Sequence, residues 1–306
     1  MFAIIVNQIL KMLLLLLLGY LCYRIGIIDQ AGNRMLANLL LMVVNPILAV
    51  MSLQTEYSPR LVRGLLLTYL LAFLVHIGAI LFTTVLIRSK DNPDCGIERF
   101  CSMYSNCGFI GIPLVQSVLG GEGVLYITAY MTVFNLFSWT HGLAIITGKA
   151  SGKDLKKGLL SPMVIASCIG LILFFTQIRL PSVLADSLNY VAGMNTPLAM
   201  IIAGTSVAQS DLLGMLKQKR LYLVCAFKLL AIPALVLAAL ACFRIESTVA
   251  YTILIAAACP VAATGTAFTL RYQKNYRYCS ELYAFSTVLS LVTIPLFIFA
   301  ADHLII

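Results

Sequence analysis

Charge is what this chain has least of. Only 11% of its 306 residues are Asp, Glu, Lys or Arg, against 61% hydrophobic, and the mean hydropathy is +0.97. A soluble chain of this length carries about a quarter of its residues charged, so a water-soluble core is excluded. Acid is scarcest: the twelve Asp and Glu all fall in loops or near the ends of apolar runs. There is no HExxH, no G-x-S-x-G and no pair of intramembrane aspartates, so an intramembrane enzyme would lack its catalytic set. The nine cysteines form no CxxC pair and no Cys/His metal spacing. They read as free thiols filling apolar space, and neither a metal nor a cofactor is expected. The net charge of +9 sits in short loops between apolar runs, the pattern of a membrane protein rather than of a nucleic-acid binder.

What the chain has is apolar runs near the roughly 20 residues that cross hydrocarbon. Ten are expected, over about Ile9–Tyr23, Met35–Leu53, Leu61–Leu86, Phe100–Leu119, Val124–Ile146, Leu159–Phe175, Leu188–Val207, Tyr222–Phe243, Val249–Leu270 and Tyr283–Ala301. The first, "KMLLLLLLGYLCYR", lacks a small-x-small cleavage site and is expected to stay in the mature protein. One set of alternating loops holds fifteen basic residues: Arg24, Arg34, Arg88, Lys90, Arg99, Lys149, Lys153, Lys156, Lys157, Lys217, Lys219, Arg220, Arg271, Lys274 and Arg277. The other set holds four, Arg60, Arg63, Arg179 and Arg244, with Lys11 and Lys228 inside runs. The richer set is expected to face the cytoplasm, which puts both termini outside a multi-pass inner-membrane protein.

Two runs are interrupted. "YSNCGFIGIPLVQSVLGGEG", Tyr104–Gly123, carries a proline and five glycines in span four; "AACPVAATGTAFTLRY", Ala257–Tyr272, carries a proline and one glycine in span nine. Five spans separate them, so the second half enters the membrane inverted. The expected fold is all-α and polytopic: residues 1–147 as one five-helix repeat, 148–158 as a cytoplasmic linker, and 159–306 as the inverted repeat. "NPILAV" from Asn45 and "NTPLAM" from Asn195, and His76 with Lys228, recur at related positions. Interrupted helices in matching positions of inverted repeats are the best sequence pointer to a secondary transporter's binding site. Pro113 and Pro260 have no N–H to donate, and backbone freed at mid-membrane must be buried in protein or line a wet cavity. Half-helices starting there aim N–H groups and the positive dipole end at that cavity. Two such ends make an anion site, completed by Tyr104, Ser105, Asn106 and Cys107 on one side and by Thr264, Thr266 and Thr269 on the other.

The elements "NCGFIGIPL" at Asn106–Leu114, "NP" at Asn45–Pro46, "FKLLAIP" at Phe227–Pro233 and "CPVAATGTAFTLRY" at Cys259–Tyr272 resemble the auxin efflux carrier family, which includes plant PIN carriers and bacterial malonate- and malate-type permeases. The resemblance covers the whole chain. It implies spans 1, 2, 6 and 7 as a scaffold, and spans 3–5 and 8–10 as a transport domain in which the broken helices cross. It implies elevator-like alternating access, an organic-anion substrate at the crossing, and a homodimer joined through the scaffold. The long cytoplasmic loop of plant members is replaced here by a short link.

The remaining polar residues have two readings each. Lys228 either snorkels to the surface or draws carboxylates into the cavity. His76 and His141 are proton carriers or neutral, hydrogen-bonded helix contacts; Asn135 is interhelical glue or a substrate contact. Glu122 reads as a solvated outer loop. An anion channel, or a sodium- or proton-coupled symporter of the same fold, stands beside the carrier reading.

Overall fold

The computed structural model describes residues 2–88, 92–149, 156, 158–210, 212–243 and 245–304. Most of the expected linker, with Lys153 and Lys157, lies outside the described residues, as do Lys90 and Arg244. The described chain is helical: α1 (Phe2–Arg24), α2 (Gln30–Ser52), α3 (Pro59–Leu86), α4 (Cys95–Met103), α5 (Cys107–Thr147), α6 (Pro162–Thr176), α7 (Ser182–Ala208), α8 (Lys219–Cys242), α9 (Ser247–Ala258), α10 (Thr264–Arg271) and α11 (Tyr276–Leu304). Seven of these are long and apolar enough to cross a bilayer, α5 alone running 41 residues, and α6 and α9 are shorter apolar helices. Leu14, Leu18, Leu21, Leu66, Leu70 and Leu74 face outward, which in a bilayer means toward hydrocarbon rather than water.

The chain of α5 doubles back at Gly120, where φ is 64° and ψ is −151°, a conformation that costs glycine little and other residues much. The Cβ position of Gly108 lies 3.0 Å from Met131 Cε, that of Gly111 is 2.9 Å from Ile127 Cδ1, and that of Gly123 is 2.6 Å from Val115 Cγ1. Residues 107–119 and 121–147 therefore run antiparallel as a tight hairpin and cover two of the expected spans.

Three of the prolines sit directly after a widened π turn. The turns Leu40–Val44, Cys107–Gly111 and Phe227–Ala231 end with Asn45, Ile112 and Ile232 donating five residues back, to Leu40, Cys107 and Phe227. Pro46, Pro113 and Pro233 follow immediately. A proline in a helix lacks the N–H and drives its ring at the carbonyl four residues back; one extra residue in the preceding turn relieves that clash while keeping the helix continuous. Pro113 thus does not break its helix, and the interruption lies upstream, at residues 104–106.

Helix contacts are closest where side chains are smallest. A Cβ on Gly19 would collide with the Ile201 backbone, and one on Gly204 with the Leu16 carbonyl, so α1 and α7 touch backbone to backbone as small-residue crossings in membranes do. Gly170 seats α6 close against the Leu53 side chain, which caps α2, and near the Ala49 carbonyl of α2. Gly204→Val should therefore force α1 and α7 apart, at about 1–3 kcal/mol for overpacking. Loss of the purified protein's monodisperse peak, or a lower unfolding midpoint in detergent, would register it; an unchanged midpoint would contradict this contact.

Arg34 and Arg271, both of the richer basic set, lie together. Arg271 lines one cavity with Arg34 and Tyr276, while Tyr278 and Arg220 both reach Glu98. At the opposite end Arg60 pairs with Glu122 at 3.1 Å and Glu246 at 2.7 Å, so Glu122 is anchored rather than freely solvated.

Candidate functional site

α4 stops at Met103 because Tyr104 turns extended (φ −90°, ψ 124°), and α9 stops where Cys259 does the same (φ −58°, ψ 150°). Cys259 precedes Pro260, and residues before proline are pushed out of the helical region. The two extended stretches lie side by side, with Ser105 opposite Val261 in an isolated antiparallel bridge. Asn106 N–H donates to the Pro260 carbonyl at 2.7 Å, and Ala262 N–H to the Tyr104 carbonyl at 2.9 Å. Val261 N–H donates to Ser286 Oγ at 3.1 Å. Each break thus supplies the partners that the other's exposed backbone requires in a medium without water.

Four helix ends meet here: the C-termini of α4 and α9, and the N-termini of residues 107–119 and α10. Lys228, fully buried, donates from Nζ to the Ala257 carbonyl at 2.9 Å and to Ser105 Oγ at 2.5 Å. It does not snorkel. Its ammonium answers the negative end of α9 and ties that end to the first break.

Against the crossing lies a chamber of about 100 Å³. Asn45, Asn106, Ser161 and Thr264 line it, and among the described residues Asn45 Nδ2, Asn106 Nδ2, Ser161 Oγ and Thr264 Oγ1 are buried without a hydrogen-bond partner. Asn45 is 2% and Asn106 5% exposed. Buried polar atoms are nearly always paired, so four orphans around one small space mark a place prepared for a ligand or water. Asn45 is held by Asn195, whose Nδ2 donates to Asn45 Oδ1 at 2.7 Å. Asn135 also lines the chamber, its amide anchored on the Met131 carbonyl at 2.8 Å, and Trp139, the chain's only tryptophan, closes one wall. A second space of about 310 Å³ adjoins it, sharing the walls Leu41, Phe109 and Ala263. A larger apolar cavity of about 640 Å³ lies between α3 and α8, away from the crossing.

Of the residues singled out in the sequence, Ser105, Asn106, Thr264 and Asn135 line the chamber, and Pro260 forms its bridge. Thr266 lies on the adjoining space, its Oγ1 bonded to the Ala263 carbonyl at 2.7 Å. Tyr104 contributes its backbone; its hydroxyl turns to the Phe137 carbonyl and His141 Nδ1, each at 3.0 Å. Cys107 is buried at the start of the π turn, and Pro113 lies farther along. His76 lines neither space: Nδ1–H donates to the Ala72 carbonyl at 2.7 Å and the ring stacks on Phe137. Asn45, Asn195, Ser161 and Trp139 were not expected in the site. For the first two the signal was present, an asparagine one or two residues ahead of a proline (Asn45–Pro46, Asn195–Pro197) at related positions of the two halves.

Comparison with known proteins agrees with this architecture. A membrane transport protein family model matches residues 4–156 and 149–298. An uncharacterized transporter of Methanothermobacter thermautotrophicus is 24% identical over 296 residues, covering 95% of this chain and 96% of its own. An uncharacterized transporter of Methanocaldococcus jannaschii is 26% identical over 218 residues, 67% of this chain and 70% of its own. The chain, with its apolar helices and paired interruptions, belongs to this membrane transport family, that of the auxin efflux carriers.

Proposed function

We propose that the protein is a carrier of small organic anions, carboxylates of the size of malonate or malate, bound where the broken helices cross. The carrying observation is the chamber: orphaned amide and hydroxyl groups beside two helix N-termini, with a buried ammonium behind Ser105. N–H groups and helix N-termini favour anions without requiring a full charge in the wall. At about 100 Å³ the chamber is well below the 300–1,000 Å³ of sites for drug-sized ligands, which supports a small acid over a bulky one.

In this reading ten spans form two inverted repeats, 1–147 and 159–306, and the richer basic end faces the cytoplasm. The pairing supports it: α1 with α7 and α2 with α6 through glycines, Asn45 with Asn195, and break with break are the contacts a two-fold relation between halves would generate. α1, α2, α6 and α7 act as scaffold and dimer contact. The other helices move as one body, alternately opening the chamber to either side.

Trp139 reports on the chamber without any label. Malonate titrated into the wild-type protein should change its fluorescence saturably. Asn106→Ala, which removes one donor to a charged ligand, should weaken that response about ten- to hundredfold and reduce proteoliposome counterflow alike, with folding retained. Wild-type response and flux in the variant would move the site elsewhere; malonate currents far above carrier turnover would favour a channel.

A further inference from the structure

The space beside the chamber has its own chemistry. It is bounded by α2, α7, α10 and α11, and its charged lining residues are Arg34 and Arg271, with no carboxylate. Other arginines at this end are engaged: Arg99 Nε donates to the Ile87 carbonyl at 2.8 Å, Arg220 grips Glu98, and Arg277 pairs with Glu281. The Arg34 and Arg271 guanidiniums make no hydrogen bond or ion pair with any described residue; Arg271 has only the ring of Tyr272, at 6.0 Å. Two unpaired cations sharing one concavity repel each other and gain most from a shared anion.

The same space also contains buried polar atoms without partners. Tyr283 is 2% exposed, and its buried hydroxyl has no hydrogen-bond partner among the described residues. Asn33 gives its amide N–H to Ser206 Oγ at 3.1 Å, leaving Oδ1 buried with no hydrogen-bond partner among the described residues. A hydroxyl donor and a carbonyl acceptor in a space of about 310 Å³ can meet both oxygens of a half-protonated acid, or a carboxylate and its neighbouring hydroxyl. Phe109, 2% exposed, stands in both walls, so the route inward passes its ring.

We infer that this vestibule is a second anion-binding site, in which Arg34 and Arg271 capture a carboxylate before it passes Phe109 into the asparagine chamber. The inference rests on the chamber being the substrate site. Low-dielectric walls lined by charge of one sign focus the field and raise association rates by about ten- to a thousandfold, an effect that salt removes. Guanidinium is suited to the task because its planar donors match a carboxylate in pairs.

The test uses the purified full chain in phosphatidylcholine nanodiscs, with malonate as probe. Calorimetry of the wild type should show two binding events per chain. R34Q/R271Q should remove one of them and slow the onset of the Trp139 fluorescence change about tenfold at low salt, with no difference at high salt. R34K/R271K, which keeps both charges, should recover most of the rate. Asn106→Ala should weaken the Trp139 response about ten- to hundredfold while keeping the arginine-dependent event. A single wild-type event that Asn106→Ala removes, with R34Q/R271Q within twofold of wild type in rate, overturns the vestibule site and leaves the chamber reading standing. An arginine-dependent event without any Trp139 response supports the vestibule and overturns the chamber. Binding that depends on the arginines but requires phosphatidylglycerol in the disc, and not malonate, assigns the site to a lipid headgroup and overturns the proposal.

Discussion

Lys228→Met should lower malonate transport more than a hundredfold while leaving a folded, membrane-inserted protein. Methionine matches the length of the lysine stem, so little space is vacated. What disappears is the ammonium bonded to the Ala257 carbonyl and Ser105 Oγ. The effects on stability oppose each other. The carbonyl loses its best partner, about 1–3 kcal/mol, but the cost of keeping an ammonium out of water is also relieved. Ser105 Oγ, 3.4 Å from the same carbonyl, remains to bond it. The effects on transport add. At roughly 8 Å from a bound anion and an effective dielectric of about 20, the lost attraction is about 2 kcal/mol, or some thirtyfold. Ser105 also neighbours Asn106 in the bridge, so its release disturbs the donor that faces the ligand. Lys228→Arg should not rescue, because a fully buried lysine leaves no room for a guanidinium fork. Counterflow and Trp139 fluorescence measure both variants, and wild-type flux in Lys228→Met would remove this lysine from the mechanism.

How much of this was readable in the sequence depends on the length scale of the signal. Apolar runs and the alternation of basic loops are one-dimensional properties, and the helices follow them closely, down to the expected end of span three at Leu86. The presence of two interruptions was legible from clustered glycine and proline. The second lies where its proline puts it, at Cys259–Pro260; the position of the first was not legible, because proline is read as a breaker only if the preceding turn stays regular. A π turn ahead of Pro113 absorbs the clash, and the chain opens instead at Tyr104–Asn106, where nothing in the local composition forbids a helix. What opens it there is the partner strand around Pro260, 2.7 Å from Asn106 N and some 150 residues away. Asn45 was visible as a landmark but not as a site residue, for the same reason: its role comes from Asn195 behind it and Asn106 beside it. Glu98 reads as a carboxylate near a span end, yet it is 2% exposed and takes both Arg220 and Tyr278. Burial of a charge is set by what folds over it.

Malonate flux in proteoliposomes should follow an imposed membrane potential and persist with neither sodium nor a proton gradient. Ion-coupled transporters commonly place carboxylates within the membrane to carry the coupling ion. No Asp or Glu lines the chamber or the vestibule, and no cluster of three potential metal ligands occurs among the described residues. The cationic group at the crossing is Lys228, supplied by the chain itself and bonded to Ser105 and Ala257, so no sodium is needed to place a positive charge there. Of the histidines, His76 donates its Nδ1–H to the Ala72 carbonyl, packs against Phe137, Tyr130 and Tyr104, and lines neither the chamber nor the vestibule. His76→Gln should therefore keep at least half of the wild-type flux. An anion leaving an inside-negative cell needs no partner: about 2.3 kcal/mol per charge per 100 mV corresponds to roughly fiftyfold in concentration for each charge carried. Proteoliposomes loaded with malonate and clamped by potassium and valinomycin should release it faster as the interior is made negative, in sodium-free buffer at equal pH on both sides. Strict dependence on sodium, or loss of potential-driven flux in His76→Gln, would replace the uncoupled carrier with an ion-coupled symporter built on the same crossing.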